Sequence, residues 1–129
     1  MGKKSKIIIG ILILSLLVVV IMAKMNFNRG YKISITNDSN KTVEKLELKY
    51  KSGNKIQTIS KIEPEKSWKY TVDTSILQGE NAIILSYKDN MGNSYKEYVV
   101  GYLEKGYSGK TNVIINNIDE NGKLEIELK

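Results

Sequence analysis

Residues 110–129 read KTNVIINNIDENGKLEIELK and carry the clearest structural signal in the chain. The pair Asn121-Gly122 is typical of a tight hairpin turn, because both residue types tolerate positive φ angles. After this pair, Leu124, Ile126 and Leu128 alternate with charged residues, which is the pattern of a half-buried strand. A less regular apolar run precedes the pair. The stretch therefore predicts a β-hairpin.

The same alternation of apolar and polar residues recurs toward the N-terminus. It covers residues 31–36, 46–51, 68–72 and 83–88, and less regular apolar runs cover residues 56–62 and 95–100. Ile56 and Ile59 are out of phase with each other, which predicts a β-bulge. Helical periodicity does not extend beyond one turn, for which Asp73 is the expected cap. We therefore predict an all-β domain, a small antiparallel β-sandwich of about eight strands, although a flattened barrel fits the same pattern.

The segment before these strands is strongly apolar. Residues 7–23 carry no charge, and as a helix they would be about 25 Å long, at the short end for a bilayer core. Lysine side chains on both flanks can extend into the headgroups. These flanking residues are Lys3, Lys4, Lys6 and Lys24. The segment predicts one N-terminal transmembrane helix, and the membrane bilayer is the first expected partner.

The alternative to an anchor is a signal peptide cleaved near Ala23, which would release a secreted domain. Ile21 fits the −3 position of such a cleavage site poorly, and the apolar run is long for a signal peptide. We therefore expect an uncleaved, single-pass anchor. The larger number of lysines before the span favours a cytoplasmic N-terminus and an extracytoplasmic domain.

This interpretation divides the chain into four parts. They are a cytoplasmic basic tail (1–6), the transmembrane helix (7–23), a short linker (24–30) and the extracytoplasmic β-sandwich (31–129).

Composition excludes several functions. The 129 residues include no cysteine and no histidine, so disulfides, thiol nucleophiles, Cys/His zinc sites and Ser-His-Asp triads are impossible. The net charge is +6, but residues 1–29 contribute +5 of it, and the nearly neutral remainder does not suit nucleic acid. The abundance of Lys, Ile and Asn is typical of a low-GC genome and suggests a Gram-positive bacterium.

Three short motifs resemble known sites without completing them. Gly109-Lys110-Thr111 lacks the first glycine and the helix of a phosphate-binding loop. The Ser52–Lys55 spacing matches S-x-x-K but falls on a predicted turn. The acids of residues 119–122 and of Asp89-Asn90 do not complete a calcium loop. We predict no catalytic residue, no metal and no cofactor, and therefore no enzyme.

Part of the strand pattern resembles a known class of proteins. The sequence Ser34-Ile35-Thr36-Asn37-Asp38-Ser39 is followed by Leu46–Tyr50, a Ser52-Gly53 turn, Ile62-Glu63-Pro64 and the hairpin sequence of residues 87–92. This order is similar to that of immunoglobulin-like or fibronectin type III-like bacterial surface modules, over residues 31–100. The resemblance implies adhesion, spacing or interaction roles.

One loop is a candidate binding surface. Residues 101–109 break the alternation and contain three glycines, and Tyr102 and Tyr107 fit no inward-facing series. Tyrosines framed by glycines are typical of recognition loops, but they also occur at corners that pin two sheets together. Both interpretations stay open. The candidate binding residues are Tyr102, Leu103, Tyr107 and Tyr95. Ile76 and Leu77, in a second loop, either bind a partner or cap the end of the sandwich.

The expected function is that of a membrane-anchored interaction or accessory module. Such a module would serve as a subunit of a cell-surface, secretion or transfer assembly, with another membrane or cell-envelope protein as its partner. The alternative is an envelope-polymer or small-ligand binding protein that uses residues 101–109.

Overall fold

A computed structural model describes residues 2–27 and 30–129 of the chain. The described residues form one long helix, eight strands and a single 3₁₀ turn. Their bounds are α1 (Lys3–Phe27), β1 (Tyr31–Asn37), β2 (Val43–Tyr50), β3 (Lys55–Ile62), β4 (Ser67–Val72), the 3₁₀ turn (Thr74–Ile76), β5 (Asn81–Lys88), β6 (Ser94–Leu103), β7 (Gly109–Ile118) and β8 (Leu124–Leu128).

The strands form two four-stranded sheets, in the orders β4-β1-β7-β8 and β3-β2-β5-β6. The prediction of a β-sandwich is confirmed. Within residues 30–129, five of the six strand pairings are antiparallel, and β1 pairs with β7 in parallel, with Ile33 opposite Thr111. The sandwich is therefore mainly antiparallel, as predicted, and the parallel pairing of β1 with β7 is a detail that the alternation does not specify.

Apolar side chains of both sheets meet between the layers. Ile33 and Ile35 alternate inward from one sheet, and Leu46, Leu48 and Leu85 do so from the other, all with almost no exposure. The predicted bulge is confirmed: Gln57 lies opposite Leu48 and Lys55 opposite Lys49, so Ile56 is the extra residue. In the described part of the chain, no buried side-chain nitrogen or oxygen lacks a hydrogen-bond partner. The polar side chains that are buried there are therefore satisfied by groups of the protein itself.

The sandwich has two distinct ends. Gly30 precedes β1 at one end, which also contains loops 51–54, 73–80 and 104–108; we call this the anchor-side end. The turns at residues 38–42, 63–66, 89–93 and 119–123 form the far end. There, Asn90 donates a backbone hydrogen bond to the carbonyl of Asn121.

Helix α1 contains all four predicted flanking lysines and is longer than the predicted span. Residues 3–25 are long and apolar enough to cross a membrane, and none of the best window is buried by the rest of the protein. Residues 24–27, which the sequence analysis placed in the linker (24–30), continue the helix. Residues 11–29 contain no Gly or Pro that would end it. Residues 28 and 29 of that linker lie outside the described residues.

Candidate functional site

The predicted loop of residues 101–109 is shorter in the structure. Strand β6 continues to Leu103 and β7 begins at Gly109, so the loop consists of residues 104–108. The β5–β6 register shifts twice, between Asn81 and Ile83 and between Ile83 and Ile84. These irregularities break the alternation along β6 while its pairing with β5 continues. The sequence pattern therefore indicated a loop where the structure has an irregular strand.

Two loops of the anchor-side end are joined by hydrogen bonds. The buried Thr74 donates its hydroxyl to the backbone carbonyl of Tyr107 at 2.6 Å, and its own carbonyl accepts from the Gly106 N–H at 3.1 Å. Asp73 caps the adjoining 3₁₀ turn by accepting from the N–H of Ser75, as predicted. Loop 104–108 is thereby fixed against loop 73–80, and the side chains that they carry share one end of the sandwich.

Tyr102 and Tyr107 form an edge-to-face pair, with ring centroids 5.5 Å apart. The Tyr102 hydroxyl lies 2.9 Å from a carboxylate oxygen of Glu104 and 3.2 Å from one of Glu80. The hydrogen bond to Glu104, partial burial and the hydrogen bond to Glu80 raise the pKa of Tyr102 far above its usual range. The hydroxyl therefore stays protonated at neutral pH and donates to these carboxylates.

The structure separates Ile76 from Leu77, which the sequence pattern could not distinguish. Ile76 is 71% exposed, whereas Leu77 is packed into the core. Tyr102 and Tyr107 are also exposed, at 44% and 38%. We call these three residues the anchor-side patch: Ile76, Tyr102 and Tyr107.

The other two candidate binding residues do not belong to this patch. Leu103 is fully buried in the core, so its assignment to a binding surface is wrong. Tyr95 lies at the opposite end of β6 and is partly buried. Its ring stacks on Tyr87 at 5.1 Å, and its hydroxyl donates to Asp89. The four predicted residues therefore do not form a single site.

A groove of about 820 Å³ at the far end was not predicted. Apolar and aromatic groups at its base include Leu46, Tyr87, Tyr95 and Leu124. Its rim carries five lysines and five acids: Lys41, Lys45, Lys49, Lys88, Lys96, Glu44, Glu47, Asp89, Asp119 and Glu120. The lining residues come from three separate turns and from five strands, β2, β5, β6, β7 and β8, so no local motif reveals the groove. Because lysines and acids are equal in number, the charge of the groove favours neither an anionic nor a cationic ligand.

The acids of the far end are engaged within their own turns. Asp89 accepts hydrogen bonds from the N–H groups of Met91 and Asn93, the Asn93 amide and the Tyr95 hydroxyl. Burial raises the pKa of Asp89, but these hydrogen bonds outweigh it and hold the pKa below its usual range. Asp119 accepts from two backbone N–H groups in the next turn. Both carboxylates serve to fix turns.

The short motifs also have structural roles. The Ser52 hydroxyl accepts from the Asn81 amide, while Lys55 pairs with Glu47 at 3.1 Å, so Ser52 and Lys55 are not directed at each other. Gly109-Lys110-Thr111 begins β7. Among the described residues, no three acidic side chains converge as metal ligands.

Comparisons with known proteins give little further information. No family model matches the chain, and no curated protein matches it. A similar solved structure is the NMR structure of a protein from Eubacterium rectale, which is 19% identical to this chain, with a TM-score of 0.49. The match covers 78% of this chain and 88% of that one. We draw no functional conclusion from this similarity.

Proposed function

We propose that the protein is a membrane-anchored, extracytoplasmic interaction module. In this proposal, helix α1 crosses the membrane with its N-terminus inside, and the sandwich binds another protein of the cell envelope. The two-sheet sandwich is compatible with the immunoglobulin-like surface modules that residues 31–100 resemble.

The observation that carries the proposal is the short covalent distance between the helix and the sandwich. Helix α1 ends at Phe27, and Gly30 is already buried against the sandwich. Three peptide units span at most about 11 Å. A sandwich tethered in this way stays at the membrane surface, where its binding sites meet other membrane and envelope proteins.

The far end is the surface that we assign to the protein partner. It points away from the point where the helix joins the sandwich, and it combines the open groove with an exposed methionine, Met91, at 73% exposure. A partly exposed tyrosine, here Tyr95, beside a polar rim is typical of protein-binding surfaces. A partner that stands above the membrane would approach this end first.

Site-specific photocrosslinking in intact host cells tests the proposal. The crosslinking residue would replace Met91 at the far end in the full-length protein. The matched control replaces Lys69, which is exposed on the outer face of β4 in the other sheet, away from the groove. We expect a discrete protein adduct from position 91 and none from position 69. Equal, diffuse adducts at both positions, or none at either, would contradict an interaction module.

The groove also favours a second candidate function. A cavity of about 820 Å³ with an aromatic base is large enough for a small ligand or a segment of an envelope polymer. This candidate moves the alternative binding site from residues 101–109 to the far end. The test is co-sedimentation of the detergent-solubilised full chain with purified cell wall. Polymer binding at the groove predicts that the full chain co-sediments, that Tyr95→Ala abolishes co-sedimentation and that Tyr98→Ala retains it. Absence of co-sedimentation would contradict polymer binding.

A further inference from the structure

We infer that the anchor-side patch rests in the lipid headgroup layer of the same membrane that α1 crosses. The inferred ligand of Ile76, Tyr102 and Tyr107 is the bilayer surface, and the sandwich is held in a fixed orientation rather than swinging freely on its tether. The inference rests on the proposed function, because it requires α1 to be a retained anchor.

Chain connectivity places the patch close to the membrane. Lys24 lies in the last turn of α1, at the polar boundary of the apolar segment, and Phe27 is about 4.5 Å further along the axis. Gly30 follows within about 11 Å of Phe27. The headgroup layer is itself about 5–8 Å thick on each side of the hydrocarbon. The first residue of the sandwich is therefore at, or just above, that layer.

The packing of Gly30 on β4 also places Ile76 close to the point where the tether enters the sandwich. Gly30 is packed so tightly on β4 that an added Cβ would lie 2.8 Å from the carbonyl oxygen of Val72. Ile76 is only four residues beyond Val72, which limits their separation to about 14 Å. Loop 104–108 is hydrogen-bonded to Thr74, between these two positions. The patch thus occupies the end of the sandwich that the tether holds against the bilayer.

The side chains of the patch suit a membrane interface. Tyrosine is enriched at the headgroup level, where its ring meets the acyl boundary and its hydroxyl stays in a polar environment. Ile76 is the most exposed aliphatic side chain of the sandwich, and it sits on a short capped turn rather than in a strand. An exposed apolar residue costs solubility in water but is accommodated by the acyl boundary.

Acidic and basic side chains surround the anchor-side patch. Glu80 and Glu104 accept the Tyr102 hydroxyl, and Asp73 caps the 3₁₀ turn. Lys51 and Lys105 lie on neighbouring loops of the same end, and their long side chains can reach lipid phosphates. The three acids outnumber the two lysines, so apolar insertion combined with the tether, rather than charge attraction, drives the contact. The tether also keeps the effective concentration of lipid high, and a weak contact is therefore sufficient.

The absence of cysteine makes a direct test possible, since a single introduced cysteine can be labelled without a competing thiol. Full-length Ile76→Cys and Lys105→Cys variants, labelled with an environment-sensitive fluorophore, would be reconstituted in phosphatidylcholine–phosphatidylglycerol vesicles. The vesicles would contain no spin label, headgroup-level spin-labelled lipid or acyl-chain spin-labelled lipid. Met91→Cys is the matched control, because Met91 and Ile76 are almost equally exposed, at 73% and 71%. Leu12→Cys in α1 reports insertion of the anchor.

We expect spin-labelled lipid to lower the fluorescence at positions 76 and 105 about twofold, as for side chains at the headgroup–acyl boundary, with no change at position 91. Equal quenching at positions 76 and 91, with Leu12 quenched by acyl-chain spin labels, would overturn the inference and leave the anchor intact. Absence of quenching at Leu12 would overturn the anchor and the inference together. A blue-shifted signal at position 76 that lipid does not quench would indicate contact with protein and would also overturn it.

Discussion

At the scale of single residues, Asn37 connects the two sheets. It ends β1 in one sheet, and its Nδ2 donates to the carbonyl of Ile62, which ends β3 in the other, and to the carbonyl of Lys41. Its Oδ1 accepts from the N–H and hydroxyl of Ser39. Asn37 is completely buried, so its loss would leave these partners unsatisfied.

We therefore expect the Asn37→Ala substitution to lower the free energy of unfolding by about 3 kcal/mol. The matched control is Asn116→Ala, whose exposed amide bonds only to Glu127; it should change stability by less than about 0.5 kcal/mol. The stability of both variants is measured by urea denaturation of the full chain in detergent. The fluorescence of the single tryptophan, Trp68, reports unfolding. Equal stability of the two variants would refute the role given to Asn37.

The candidate site shows which residue properties a sequence can reveal. The sequence pattern singled out Tyr102 and Tyr107 but left open whether they pin two sheets together or form a recognition loop; in the structure both are exposed and lie together. Burial of Leu103 did not follow, because two register shifts in the β5–β6 pairing change which residues face the core. The difference between Ile76 and Leu77 depends on one 3₁₀ turn, whose orientation is set by hydrogen bonds to loop 104–108.

At the scale of elements, the start of β1 is closely packed. A Cβ at Gly30 would lie 2.7 Å from Thr71 Cγ2 and 2.8 Å from the Val72 carbonyl oxygen, and one at Gly109 would lie 2.9 Å from the Tyr31 ring. Gly30 immediately precedes β1 and packs on β4, and Gly109 is the first residue of β7, both at the end where the chain enters the sandwich. Close approach of backbones, rather than positive φ, explains glycine at position 30.

The Gly30→Ala substitution should consequently destabilise the sandwich by about 1–3 kcal/mol, because the contacting carbonyl belongs to the backbone and cannot move freely. Gly101→Ala is the matched control: it also lies in the sandwich, but nothing is within 4 Å of its added Cβ. Its stability should stay within about 0.5 kcal/mol of the wild type. Midpoints of thermal unfolding by circular dichroism would distinguish the two variants, and a stable Gly30→Ala protein would contradict the packing described at this end.

Period-two alternation and turn residues were sufficient to predict the strands, because each strand has one buried face. The parallel pairing of β1 with β7 could not be predicted. These strands are separated by most of the domain, and neither turn chemistry nor local pattern specifies which distant edges meet. The sequence pattern marked the edges of the apolar span but not the end of α1, since a charged residue marks the edge of the membrane without ending a helix.

At the scale of the whole molecule, the two ends of the sandwich differ in a way that follows from the tether. The anchor-side end carries three exposed apolar or aromatic side chains next to the point where the helix joins. The far end carries the groove with its mixed charges. We propose that the first end faces lipid and the second faces a protein partner. Both assignments depend on a retained helix and an extracytoplasmic sandwich.

One measurement tests that dependence most directly. A Thr58→Cys variant would be treated in intact host cells with a membrane-impermeant maleimide, and the intact mass of the protein would then be determined from the membrane fraction. The account predicts a chain that retains residues 3–23 and carries one label. A chain that begins at Lys24, or a thiol that reacts only after the cells are lysed, would contradict it.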